Sequence, residues 1–326
     1  MGNGSALSAD QRRHFVDEGY LVVEDLIDVA SYLDPMVREY GDRLDLLARQ
    51  LHAEGKISAT YADLEFGPRL TRIYAETGQQ WAQYFDFSLP LKGDIRADEP
   101  CFFSPSVFNV LRNPGVLDIV ESLIGAEIYS NPVQHVRMKP PESLLPAKLD
   151  AAAVRPTPWH QDASVVIEEA DQTDMITVWI PIFDATEANG CLAVAPRSHS
   201  GGLLEHCPTD RGMQLSTDRF DADRAQPVPM RRGSALFMTR TTPHCSLPNN
   251  SGEVRWSMDL RFNVTGQPTG RPEFPGFVAR SRRDPASELR DPLVWQQDWL
   301  RTRERMSSSP ELVGAFTREW SGAGCA

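Results

Sequence analysis

Trp159-His160-Gln161-Asp162, near the middle of the chain, decides how the rest of the sequence is read. On an extended strand, side chains two positions apart project to the same face, so the imidazole of His160 and the carboxylate of Asp162 are placed to grip one metal ion. His-x-Asp is short and arises by chance in many chains, so its weight comes from what surrounds it. His244, within Thr242-Pro243-His244-Cys245-Ser246, lies 82 residues beyond Asp162 and is the candidate third ligand. Two imidazoles and one carboxylate leave one face of an octahedral metal open. That suits a non-haem Fe(II) centre, which has to take a co-substrate and O2 together.

Eleven residues after His244 comes Arg255, opening an alternating run to Val264 that predicts a strand. A guanidinium holds a carboxylate through two parallel hydrogen bonds and keeps its charge at any working pH, so Arg255 is the candidate carboxylate anchor. Arg261 shares its parity on the strand and is the internal competitor; a bulge would exchange the two.

With these residues in place, the chain resembles the phytanoyl-CoA dioxygenase family of Fe(II)/2-oxoglutarate oxygenases. The resemblance rests on Trp159-His160-Gln161-Asp162, Trp179-Ile180-Pro181, Glu187-Ala188-Asn189-Gly190, Pro196-Arg197-Ser198-His199, His244-Cys245-Ser246, Asn250 and Arg255, and it spans roughly residues 10 to 300. It implies His160, Asp162 and His244 as iron ligands, with 2-oxoglutarate and O2 as co-substrates. It also implies that Arg255 and Ser246 hold the distal carboxylate of 2-oxoglutarate. An aspartate at 162, where halogenating relatives lack a ligand, implies hydroxylation or a related oxidation. Arg137 is placed to touch co-substrate or substrate, and Trp179 stands either near the metal or simply in the core. The sequence departs from the family pattern at Arg197 and Cys245, where glycine is common; neither change removes a ligand.

Length and composition fit this reading. A chain of 326 residues can bury about three-quarters of its unfolded surface. With 41% hydrophobic and 24% charged residues it has a globular composition. A formal charge of −12 argues against generic binding to nucleic acid or to an anionic membrane. No apolar run is long enough to span a bilayer, and the start of the sequence lacks a signal peptide's pattern, so a cytoplasmic protein is expected. The five cysteines are odd in number and form no Cys-x-x-Cys pair, which reads as reduced, mostly structural thiols.

Along the chain, Ser8 and Gln11 have the spacing of a capping box, which predicts a helix to Glu18 ended by Gly19. Tyr20–Val23 reads as a strand, Asp28 to Ala53 as one long amphipathic helix, and Val116–Leu123 as another helix. Glu127 to Met138 reads as a strand stopped by Pro140-Pro141. Beyond Trp159 short strands dominate: 164–167, 176–182, 191–195, 235–238 and 255–264. A closing helix is expected from Asp291 to about Met306. The fold class is therefore β-rich α+β: a jelly-roll core, sharpened by the resemblance to a double-stranded β-helix, with flanking N-terminal and C-terminal helices. One domain is expected, with a helical part over about 8–125, the core over about 127–266 and an extension over 267–326.

The expected reaction is C–H hydroxylation of a small organic molecule. Two other classes stay open: a metal-dependent oxygenase or isomerase that uses no 2-oxoglutarate, and a non-catalytic binding or sensor protein. The stretches 56–105, 140–158 and 201–230 are the candidate substrate walls. The identity of the substrate and the oligomeric state are not legible.

Overall fold

A computed structural model describes residues 7–90, 95–147, 149, 154–209, 212–309, 312, 318–322 and 325. The first helix, α1 (Ala9–Glu18), forms where its cap is written: the Ser8 hydroxyl accepts from the Gln11 amide and the Gln11 side chain accepts from the Ser8 amide. Gly19 ends it in a left-handed conformation, φ +83°. There a Cβ would fall 2.4 Å from His199 Nδ1, so glycine is required for both backbone and space. Its carbonyl accepts from the Thr242 hydroxyl, two residues from His244. The chain then enters β1 (Tyr20–Val23).

The expected single helix from Asp28 is two elements, a π-helical turn at Val29–Leu33 and α2 (Asp34–Ala53). Pro35 has no N–H to return to Ser31, so the regular ladder breaks there and a wider turn takes its place. Met36, Tyr40, Leu44, Leu47 and Leu51 form the buried stripe of α2. Then come α3 (Phe66–Thr77), the short α4 (Ala82–Phe85), α5 (Pro105–Leu111) and α6 (Pro114–Ile124).

The strands follow: β2 (Glu127–Ser130), β3 (His135–Lys139), β4 (Met175–Pro181), β5 (Leu192–Val194), β6 (Cys207–Thr209), β7 (Gly212–Gln214), β8 (Gln226–Val228), β9 (Ala235–Thr239), β10 (His244–Ser246), β11 (Arg255–Val264) and β12 (Phe277–Ser281). Helix α7 (Pro292–Ser308), capped by Asp291, closes the chain's regular structure. The large antiparallel sheet runs β1-β9-β4-β11-β2-β12, with β3 also paired to β11. β2 and β3 share one edge of β11: Phe262–Val264 face β2 and Arg255–Asp259 face β3. The expected continuous strand from Glu127 to Met138 is interrupted between them. Pro132 has no amide to offer the ladder, and the Asn131 side chain instead accepts from the Val133 amide. The small sheet is β10-β5-β8.

Alternation along the large sheet explains the layers. Trp256, Met258, Leu260 and Phe262 on β11, Ile176, Val178 and Ile180 on β4, and Phe237 on β9 join the helices in one buried cluster. The opposite face sends Trp179, Leu236 and Met238 against Leu192, Val194 and Val228 of the small sheet. Two sheets thus face each other, and the odd-numbered residues of β11 point between them. No helix among the described residues is long and apolar enough to cross a membrane.

Two further expectations are corrected. Residues 164–167 are not a strand, because Asp162–Val165 is a 3-10 turn. The cysteines are not all free: Cys207 and Cys325 form a disulfide with a Cα separation of 5.5 Å, leaving Cys101, Cys191 and Cys245 as thiols. An odd count hides one bridge among five, and the partners lie 118 residues apart, beyond any local spacing rule. The bridge ties Cys325 to β6. Nearby, Trp320 packs at a tilt against His206, 5.0 Å between ring centroids, and Arg318 pairs with Asp171.

Candidate metal centre

His160 and His244 meet through the main chain. Each amide donates to the other's carbonyl at 2.9 Å, an isolated antiparallel bridge that brings the two rings to 4.2 Å between centroids. His160 Nδ1–H donates to Pro158 O at 2.9 Å and His244 Nδ1–H to Thr242 O at 3.0 Å. That leaves Nε2 of each ring bare, the tautomer a metal ligand needs. Asp162 follows as the first residue of the 3-10 turn, so it reaches the histidines from a turn and not from the extended strand the spacing suggested. Its carboxylate oxygens lie 3.8 Å from His160 Nε2 and 3.9 Å from His244 Nε2, and one donor atom from each residue falls within 4.8 Å of the others.

The surroundings hold these donors in ligand form. Burial works against the Asp162 charge, but Arg261, the two histidines and the Thr177 hydroxyl keep its pKa well below the usual carboxylate range. Burial, with His244 beside it, pulls His160 down to about 3, so the ring is neutral. Two imidazoles and one buried carboxylate, each fixed by a second hydrogen bond, are the donor set a divalent first-row metal takes.

Above this floor lies a cavity whose walls include Arg137, Thr157, Thr177, Trp179, Arg255, Asp259 and Arg261. Odd positions of β11 supply three of them, so both arginines weighed in the sequence point inward. Their tasks differ. Arg261 pairs with Asp162 and donates to Val133 O at 2.7 Å. Arg255 is 2% exposed and forms no ion pair among the described residues. It donates to Ser257 Oγ at 2.6 Å, lies over the Trp179 ring at 5.6 Å and leaves Nε without an acceptor. Arg137 pairs with Asp259.

Ser246 is buried but not a cavity wall. Its hydroxyl oxygen accepts from Lys139 Nζ at 2.8 Å and from the Thr157 amide at 2.7 Å. Lys139, opposite Arg255 in register, thus links Ser246 to Thr157, a cavity wall, and sequence reasoning passed over it; its place at the end of a strand two residues from Arg137 was the available signal. Asp259 and Thr177 were missed as well, although each shares parity with a residue that was singled out. His199 donates through its ring to Val16 O and braces α1. Glu187-Ala188-Asn189-Gly190 is a turn, with Asn189 Oδ1 accepting from the Thr186 amide and Gly190 at φ +90°. Arg197, where glycine is common in the family, adopts φ +67°, and its guanidinium grips Glu18 through Nε at 2.9 Å and Nη2 at 2.7 Å. Cys245 is buried opposite Ala193, and burial pushes its thiol up to about 12, so it is an inert filler.

A two-histidine, one-carboxylate face between the sheets of a double-stranded β-helix defines a class, the mononuclear non-haem metal proteins of this fold. The profile described as phytanoyl-CoA dioxygenase (PhyH) matches residues 15–257. The chain belongs to the phytanoyl-CoA dioxygenase family. It is similar to the methylphosphonate hydroxylase of Gimesia maris, 34% identical over 106 residues that cover 32% of this chain and 40% of that protein. It also resembles the 1-deoxypentalenic acid 11-beta-hydroxylase of Streptomyces arenae, 29% identical over 172 residues, 49% of this chain and 57% of that one. The alignments thus reach only about half the length of these two relatives. A probable phytanoyl-CoA dioxygenase of Caenorhabditis elegans is 28% identical over 272 residues, 79% of this chain and 76% of that protein. Among solved structures, the non-heme monooxygenase ThoJ in its apo form shares the fold at TM-score 0.59 and 19% identity, over 94% of this chain and 98% of that one. The apoform of EctD from S. alaskensis does so at TM-score 0.51 and 18% identity, over 88% and 89%.

Proposed function

We propose that this chain is an Fe(II)- and 2-oxoglutarate-dependent dioxygenase. In this reading it hydroxylates an unactivated C–H bond of a small organic molecule as 2-oxoglutarate and O2 are converted to succinate, CO2 and the new hydroxyl group. One observation carries the reading: two bare imidazole nitrogens and a carboxylate converge on the floor of a cavity whose wall also holds Arg255, a buried guanidinium with no carboxylate of its own. The relatives named for hydroxylation of methylphosphonate and of 1-deoxypentalenic acid support it.

His160, Asp162 and His244 would hold the iron, and the bound metal with its co-substrates supplies the oxidising chemistry. The chain's own residues do the rest. Pro158 O and Thr242 O fix the imidazole tautomers, Thr177 and Arg261 fix the carboxylate, and Trp179 backs the Arg255 guanidinium. Arg255 takes the distal carboxylate of 2-oxoglutarate, and Arg137, held by Asp259, lines the wall where co-substrate or substrate lies. Ser246 acts on that carboxylate through Lys139, which it orients.

Anaerobic addition of Fe(II) and then 2-oxoglutarate is expected to give a visible charge-transfer band and, on admitting air, succinate. In Arg255→Ala the band is expected to need about 10- to 100-fold more 2-oxoglutarate, the loss of a charge-assisted bond worth about 1.5–3 kcal/mol. A metal-loaded protein that never shows the band would remove 2-oxoglutarate from the reaction.

A further inference from the structure

Among the described residues five arginines are buried, and three of them carry a carboxylate: Arg69 has Asp45, Arg261 has Asp162 and Arg318 has Asp171. Arg255 and Arg271 have none. Buried Lys139 also lacks a carboxylate, yet its three donors meet Arg155 O, Thr157 Oγ1 and Ser246 Oγ at 2.7–2.8 Å. Arg255 already has a task in the function proposed above. Arg271 has no such task, and it is 1% exposed.

Its Nε and Nη1 find no acceptor, and its one side-chain hydrogen bond is a long one, from Nη2 to Val165 O at 3.3 Å. A buried cation left in that state is costly, and it persists in a protein where something else makes use of it. Burial, then Arg261 and Arg137, pull its pKa down to about 9, with no carboxylate raising it in return.

Arg271 is not itself a wall of the cavity, and its guanidinium lies over the Phe274 ring at 6.0 Å; it stands behind the wall, joined to the site through Val165. Val165 closes the turn that begins at Asp162, Arg261 pairs with that same aspartate, and Arg137 and Arg261 both line the cavity. Of the acids nearby, Asp162 and Asp259 already pair with Arg261 and Arg137. Asp86 spends its oxygens on His135 and on the amides of Phe87 and Val136. A divalent metal and a dianionic co-substrate cancel each other, so loading the site leaves the positive excess in place.

We propose that Arg271 binds an oxyanion carried by the substrate, a carboxylate, phosphonate or phosphate group, so that the molecule oxidised in this cavity is an anion. The assignment of that anion as substrate rests on the dioxygenase reading; anion binding at Arg271 does not.

The test uses inorganic phosphate and acetate as probes. They are titrated at constant ionic strength against chloride into wild type, Arg271→Met, Arg271→Lys and Arg255→Met, with binding read by calorimetry and by the unfolding temperature. At least one probe is expected to bind wild type and Arg255→Met and to raise their unfolding temperatures. Arg271→Met is expected to lose at least about tenfold in affinity, the scale of one charge-assisted hydrogen bond, and Arg271→Lys to keep part of it. Without probe, Arg271→Met is expected to unfold no lower than wild type, because it removes an unpaired buried charge. The proposal is overturned if Arg271→Met binds the probes as wild type does, if neither probe binds wild type, or if Arg271→Met is strongly destabilised without probe while Arg271→Lys is not. The visible band with Fe(II) and 2-oxoglutarate, recorded on the same samples, separates failure of this proposal from failure of the dioxygenase reading: a band without probe binding sinks only the former.

Discussion

Asp162 has two partners besides the histidines, and its charge is as much a part of the fold as of the proposed metal centre. Its carboxylate neutralises Arg261, which is equally buried. Removing one partner of a buried pair leaves the other uncompensated and costs about 3–5 kcal/mol. Asp162→Asn is therefore expected to lower the urea midpoint of the metal-free protein markedly, whereas His244→Ala abolishes metal binding with a smaller effect on that midpoint. Equal midpoints for Asp162→Asn and wild type would show that the pair adds nothing to stability. The same residue illustrates what spacing can and cannot tell. His-x-Asp announced two donors to one ion, but the strand geometry behind that expectation holds only for His160, since Asp162 reaches its place through a turn.

Elements with purely local signals were the legible ones. The Ser8–Gln11 box, the alternation of β11 and the closing helix α7 rest on signals within a few residues, and each appears where the sequence puts it. What was not legible depends on partners far along the chain. That β2 and β3, parted at Pro132, both pair with one edge of β11 is such a case. Lys139 matters because Ser246, 107 residues away, lies against it. Arg261 was seen only as a competitor to Arg255 because nothing local shows that Asp162 claims it. The α1–β1 junction sits between these cases: Gly19 was readable as a helix stop, but its approach to His199 was not. Gly19→Ala combines a left-handed backbone with a Cβ 2.4 Å from the His199 ring, and it is expected to cost about 2–3 kcal/mol. Chemical denaturation measures this, and a loss below that of an ordinary surface substitution would mean that His199 moves freely aside.

Across the molecule, the disulfide is the longest-range constraint. It closes a loop of 118 residues, for which the chain-entropy treatment gives about 4–5 kcal/mol. Cys325→Ser is expected to lower the unfolding temperature by several degrees, and a strong reductant to raise the count of titratable thiols in unfolded protein from three to five. Five thiols without reductant would rule the bridge out. Acid is expected to act through the same region. Burial holds His206 down to about 4 from an ordinary 6.5, and its Nε2 accepts from the Gln161 amide between two proposed ligands. The neutral ring is the folded form, so its contribution is complete above pH 6.5 and is lost as the pH falls toward 4, where the unfolded chain takes the proton first. His206→Gln is expected to flatten that part of the stability profile measured by urea midpoints. An unchanged slope would assign the acid sensitivity elsewhere.

The mutual amide bridge between His160 and His244 has a consequence for how such a protein can diversify. Because main-chain atoms make it, the separation of the two imidazoles is indifferent to which side chains occupy the segments hung on either side. Side chains of stretches 140–158 and 201–230, apart from Thr157 and His206, which bond to the site, would then be free to vary without moving the two rings. Exchanging them between relatives should alter which molecules are accepted while the bridged pair keeps its grip on the ion, a modularity by which one scaffold is able to serve many chemistries.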